Sequence, residues 1–134
     1  MEKEFVRHEI SLELKQLGFD EPCIAFYNGR FLDFKIWNDD GREASQINVN
    51  MDVGQCPNAP TFSQVFRWFR EKYELDSYIK PSLLGTKKVY DFYIWFTNKE
   101  GERDLFIGMN NEYTYEEAEI ECLLKLIEFV KESI

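Results

Sequence analysis

Apolar and polar residues alternate along this chain in two different rhythms, and the rhythms divide it into helices and strands. Over residues 3–17, Val6, Ile10, Leu14 and Leu17 recur at helical spacing and form one stripe, flanked by Phe5 and Leu12. Gly18 follows as a helix-ending residue. Residues 23–27 and 31–37 then read as two strands joined through Asn28-Gly29, a favoured hairpin turn. In the second of them, Leu32, Phe34 and Ile36 share one face, and Phe31, Asp33, Lys35 and Trp37 the other. Residues 39–60 are polar and weakly patterned and read as a loop, with room for an edge strand over 46–53.

The second half repeats the alternation with stronger signals. Thr61 and Gln64 have capping-box spacing ahead of a helix ending near Glu74, whose apolar arc is Phe62, Val65, Phe66, Phe69 and Tyr73, bordered by Trp68. Strands follow over 78–80, 88–97 and 103–109. The longest puts Tyr90, Phe92, Ile94 and Phe96 on one face and Val89, Asp91, Tyr93, Trp95 and Thr97 on the other. Thr114 and Glu117 open a last helix that runs to about Glu132, with Glu116 and Glu119 near its positive end. Its main stripe is Ile120, Leu123, Leu124, Ile127, Val130 and Ile134. Ala118, Cys122 and Phe129 gather on the opposite side, so a second element should cover that side. The expected fold is a single α+β domain over 1–134, a mainly antiparallel sheet of about five strands with three helices, in the order α-β-β-α-β-β-β-α.

Composition narrows what this fold can do. The 134 residues carry a formal charge of −9, with 44% hydrophobic and 31% charged residues, which fits a folded domain with a core. No apolar run approaches the roughly 20 residues of a membrane span, and the N-terminus lacks a secretory signal. No membrane partner is expected. Three widely spaced cysteines, Cys23, Cys56 and Cys122, suit a reducing cytoplasm better than a disulfide framework.

Catalytic chemistry has few candidates. His8 is the only histidine and projects away from its helix's apolar stripe, as an exposed surface residue would. There is no CxxC, HExxH or glycine-rich phosphate loop. Residues 48–54 resemble part of a calcium loop, but the glycine comes one position late and the closing acid is missing. Neither a catalytic residue, a metal site nor a cofactor is assigned. Arg67 and Arg70, with Lys87 and Lys88, are candidate anion contacts; the plainer reading pairs the arginines with nearby glutamates.

From Phe62 onward the order α-β-β-β-α is that of a double-stranded RNA-binding domain, which needs a basic start to its final helix. Here that start is acidic, and residues 111–134 carry a net charge of −5, which argues against duplex nucleic acid. Aromatic residues make up 16% of the chain. Phe31, Trp37, Tyr93 and Trp95 lie on faces opposite the stronger apolar stripes; the plainer reading buries them under helices covering both sheet faces, and otherwise they form a candidate interaction surface, either for a protein or for a stacked base.

Three blocks carry a family resemblance: LGFDEPC at 17–23, APTFSQVFRWFREKY at 59–73, and TYEEAE with CLLKLI at 114–119 and 122–127. With these blocks the chain resembles a family of small proteins encoded by phages and prophages of Bacteroides-group gut bacteria. That resemblance implies a bacterial host cytoplasm and brings no family activity or catalytic residues. The expectation is a non-catalytic accessory protein that binds a host protein, with −9 favouring basic partners. The alternative is a binder or sponge for a small nucleotide-type ligand, its base on the aromatics and its phosphate on the cations.

Overall fold

A computed structural model describes residues 4–29, 31–34, 59–110 and 112–132. The elements are α1 (His8–Gln16), β1 (Ala25–Asn28), β2 (Phe31–Phe34), α2 (Phe62–Tyr73), β3 (Asp76–Leu84), β4 (Lys87–Thr97), β5 (Arg103–Gly108) and α3 (Tyr115–Glu132). Among the described residues the fold is therefore α+β, with three helices and five antiparallel strands in the expected order. The strands form two sheets, β1-β2 and β3-β4-β5. By contacts the chain divides into two compact units, Met1–Thr61 and Phe62–Ile134.

In the first unit α1 begins at His8, later than its stripe suggested. Phe5 instead bridges Thr61, and the Val6 N–H donates to the Pro60 carbonyl at 2.8 Å. Both apolar side chains are buried in this extended form, so periodicity alone did not separate it from a helical turn. The Val6 carbonyl accepts from the Tyr27 hydroxyl and from the Ser11 hydroxyl, which ties α1 and β1 to the same backbone group. Phe5, Ala25, Tyr27 and Ala59 make a small core with Leu32 against it. The hairpin register pairs Asn28 with Phe31, so Asn28 belongs to the strand and the turn begins one residue later than expected. Gly29 supplies the positive φ of 62° there.

In the second unit, β4 is the central strand and the parity of its residues assigns the two faces. The helix side receives Phe92 and Ile94, both buried, with Tyr90 and Phe96 at their flanks. Helix α3 crosses this side, packing Phe129 on Phe96 (ring centroids 4.7 Å) and setting Tyr115 edge-on to Tyr90 (5.5 Å). Both apolar sides of α3 find neighbours, because α2 packs against it as well. Leu124, expected within the main stripe, is exposed, whereas Ala118, Cys122, Leu123, Leu126, Ile127 and Val130 are buried. The Thr114 hydroxyl donates to the Glu117 carboxylate (3.0 Å) and accepts from the Glu117 N–H (3.2 Å), so the predicted cap is present.

Strand β3 is much longer than the three residues its sequence suggested, because it continues through Pro81. A proline fits there only if its nitrogen faces away from the partner strand. The register meets this condition: Pro81 sits opposite Tyr90, whose N–H turns to the other side and donates to the Tyr113 carbonyl at 3.2 Å. At the opposite end, Arg103 donates to the Glu74 carbonyl (2.8 Å) and to the Asp76 carboxylate (2.9 Å), joining the α2–β3 junction to β5.

Gly108 lies directly across from Phe92, and a Cβ built there would meet the Phe92 ring at 2.0 Å. The ring covers the backbone of β5 at a point where only glycine leaves room. Gly108→Ala should therefore lose about 1–3 kcal/mol through overpacking, measured as a lower urea midpoint with an unchanged slope.

Candidate functional site

The face of the β3-β4-β5 sheet turned away from α3 is the most distinctive surface among the described residues. Alternation places Tyr78 and Lys80 of β3, Tyr93 and Trp95 of β4, and Leu105 and Ile107 of β5 on this outer face, with Met109 continuing the parity just beyond β5. Tyr78 and Tyr93 are direct cross-strand neighbours whose rings stack with centroids 4.9 Å apart and planes 4° apart. The Lys80 ammonium lies 5.8 Å from the Tyr93 ring centre. Trp95 is 39% exposed, Tyr78 46%, Ile107 44% and Met109 68%. Toward the β3–β4 turn the same face closes, with Val89 and Asp91 buried.

Both borders of this face are blunted against strand addition. Among the described residues β3 and β5 each pair only with β4. Pro81 interrupts the outward N–H row of β3. On β5, the Leu105 N–H donates to the Asp104 carboxylate at 2.8 Å, which leaves no free donor at that point of the edge. A partner that meets this sheet would therefore lie on its face.

Of the four aromatic residues singled out from the sequence, Tyr93 and Trp95 stand together on this surface. Phe31 belongs to the first unit, where it is 79% exposed, and Trp37 lies outside the described residues. Tyr78, Lys80, Ile107 and Met109 were missed as members. Their strands were legible in part, but their association with Tyr93 and Trp95 needs the strand register.

The four candidate anion contacts are distributed over several surfaces. Arg67 and Arg70 are exposed on α2. Lys88 lies on the helix side of β4, with its ammonium 5.4 Å from the Tyr90 ring centre. Lys87 shares the outer face, six residues along the strand from Tyr93, or about 20 Å at the usual strand rise. Only Lys80 sits beside the aromatic stack.

Other candidate chemistry resolves into packing. His8 is half-buried, edge-on to Tyr27 at 5.3 Å, and not the exposed residue expected. Cys23 and Cys122 are buried free thiols, while Cys56 and the calcium-like stretch lie outside the described residues, as do the strand suggested over 46–53 and most of the 39–60 loop. Burial pushes the Cys122 thiol up to about 12, which suits a packing residue and not a nucleophile. No group of three or more metal-ligating side chains occurs among the described residues, and none of their helices is long and apolar enough to cross a membrane.

No protein-family model, curated protein or solved structure matches the chain.

One carboxylate on α3 is strongly perturbed. Burial first, and the neighbouring Glu116 charge second, raise Glu119 to about 7, while a hydrogen bond from the Tyr115 hydroxyl works the other way. The folded state therefore holds this proton more tightly than the unfolded chain, with its ordinary value near 4.5. Its contribution to stability is full below that ordinary value and is lost as pH rises through about 7. Urea titrations at pH 5 and pH 8 should show a smaller fall in stability for Glu119→Gln than for the parent protein.

Proposed function

We propose that this protein is a non-catalytic phage or prophage accessory protein that works as a protein-interaction module in the host cytoplasm. Its docking surface is the outer face of the second unit's sheet. The observation that carries this reading is the stacked Tyr78–Tyr93 pair beside exposed Trp95 on the face turned away from α3. Aromatic residues and methionine are the types enriched at the centre of protein interfaces.

The surroundings of the stack favour a protein partner over a nucleotide. Leu105, Ile107 and Met109 continue the patch as aliphatic surface, which a protein side chain can fill and a phosphate cannot use. A nucleotide stacked on Tyr93 would find Lys80 within reach but not the other cations, since Lys87 is about 20 Å away along the strand. Pro81 and the Asp104 cap favour face-on docking by a partner's side chains over main-chain strand pairing.

The double variant Trp95→Ser/Ile107→Ser tests the surface. Both side chains are partly exposed, so its thermal midpoint should stay within a few degrees of the parent protein's. Affinity capture from host cells expressing either protein, with cross-links mapped by mass spectrometry, should recover a partner cross-linked near Lys80 that the variant loses. Equal recovery by both proteins, or cross-links confined to other surfaces, would count against this reading.

A further inference from the structure

A cavity of about 410 Å³ opens at one end of the second unit, away from the outer sheet face. It lies where the C-terminal ends of α2 and α3 meet the turn between β4 and β5. Tyr73, Phe96, Phe129 and Val130 supply an apolar, largely aromatic wall, and Glu74, Glu132 and Lys99 stand among its polar lining residues. The volume falls in the range of small-molecule sites.

Acidic side chains, the end of α3 and aromatic ring faces meet here. The chain leaves α2 through Glu74, held at a φ of 56°, with the Leu75 N–H closing back onto the Phe69 carbonyl at 3.3 Å. The last turn of α3 presents the negative pole of its helix dipole, whereas the Glu74 carbonyl at the end of α2 accepts from the Arg103 guanidinium at 2.8 Å. The two glutamates outnumber the single lysine of the lining, and aromatic ring faces attract cations. The rings of this region already do so for the chain's own ammonium groups: the Lys125 nitrogen lies 5.2 Å from the Phe129 centroid, and that of Lys72 5.5 Å from the Tyr73 centroid.

We propose that this cavity binds an organic ammonium ion, a protonated amine carried on an apolar or aromatic body. The apolar part would occupy the Tyr73–Phe96–Phe129 wall and the ammonium the Glu74–Glu132 side. Lys99, the lysine of the described lining, is exposed on the β4–β5 turn, where it can swing away from an arriving ligand, while Arg103 is held by the Glu74 carbonyl and the Asp76 carboxylate. The ammonium comes either from a free small amine or from a lysine side chain of another protein, and the chemistry is the same in both cases. The site is separate from the docking surface proposed above and stands or falls without it.

An NMR titration of the isotope-labelled protein at pH 7 tests the site with four probes. Phenethylammonium represents the free amine and Nα-acetyl-lysine methylamide the protein side chain. The anion 3-phenylpropionate controls for apolar binding, and tetramethylammonium for charge alone. Phenethylammonium or the lysine derivative should shift the Thr97, Asn98 and Val130 signals saturably, while 3-phenylpropionate leaves them unmoved. Preference for phenethylammonium would mark a small-molecule site, and preference for the lysine derivative a protein side-chain site; either result supports the proposal. Glu132→Gln should weaken binding by about two- to fivefold, as expected for losing one exposed charge contact, and Lys99→Gln should tighten it. Equal shifts with the anion, shifts confined to Tyr78 and Ile107, tetramethylammonium binding as tightly as phenethylammonium, or constants unchanged in both variants would each overturn it.

Discussion

Because β4 is hydrogen-bonded on both sides, its side chains have only two directions left to them. Its even-numbered residues meet α3 and its odd-numbered residues face outward, and every neighbour of β4 inherits that division. Among the described residues of the second unit, α3 lies across the even-numbered side and α2 packs on α3 and on β3. Phe92 and Ile94 therefore become core, with Phe96 half-buried beside them, while Tyr93 and Trp95, equally aromatic, remain nearer the surface. The outer patch is thus a by-product of having one helix layer for a sheet with two apolar faces. Its retention of Tyr, Trp, Ile and Met, where polar residues would be simpler, is what gives the surface its meaning.

Local chemistry made much of this architecture legible. The alternation of β4 could be read directly because eleven consecutive residues keep one period, and the Thr114–Glu117 cap because a helix start needs side-chain partners within three positions. Long-range pairing was harder to read. Phe5 and Val6 match a helical stripe, yet their backbone is taken by Pro60 and Thr61, more than fifty positions away. Pro81 marks a break in most strands and is tolerated here because it lies on an edge, a fact that exists only once Tyr90 has turned its N–H toward Tyr113. The interaction surface divided in the same way. The outward parity of Tyr93 and Trp95 followed from their own strand, whereas Tyr78 and Ile107 joined them through register.

The acidity of α3 also has a structural account. Glu117 completes the cap, and Glu116 and Glu117 stand in the first turn, where the helix dipole favours negative charge. Glu119 sits one turn further on and pays for its position: burial disfavours its charge, and the Tyr115 hydroxyl offsets only part of that cost. Charge that looks uniform in the sequence thus separates into residues that stabilise the helix start and one that resists the packing around it.

The blunted edges have a meaning for the chain's behaviour at high concentration. A sheet with an aromatic face and two open borders is a template on which further copies can stack strand by strand into fibrils. Pro81 removes a donor from one border, and Asp104 both occupies a donor and adds a charge at the other. Each device disfavours lateral growth of the sheet at its own border, which lowers the hazard of keeping an apolar face exposed.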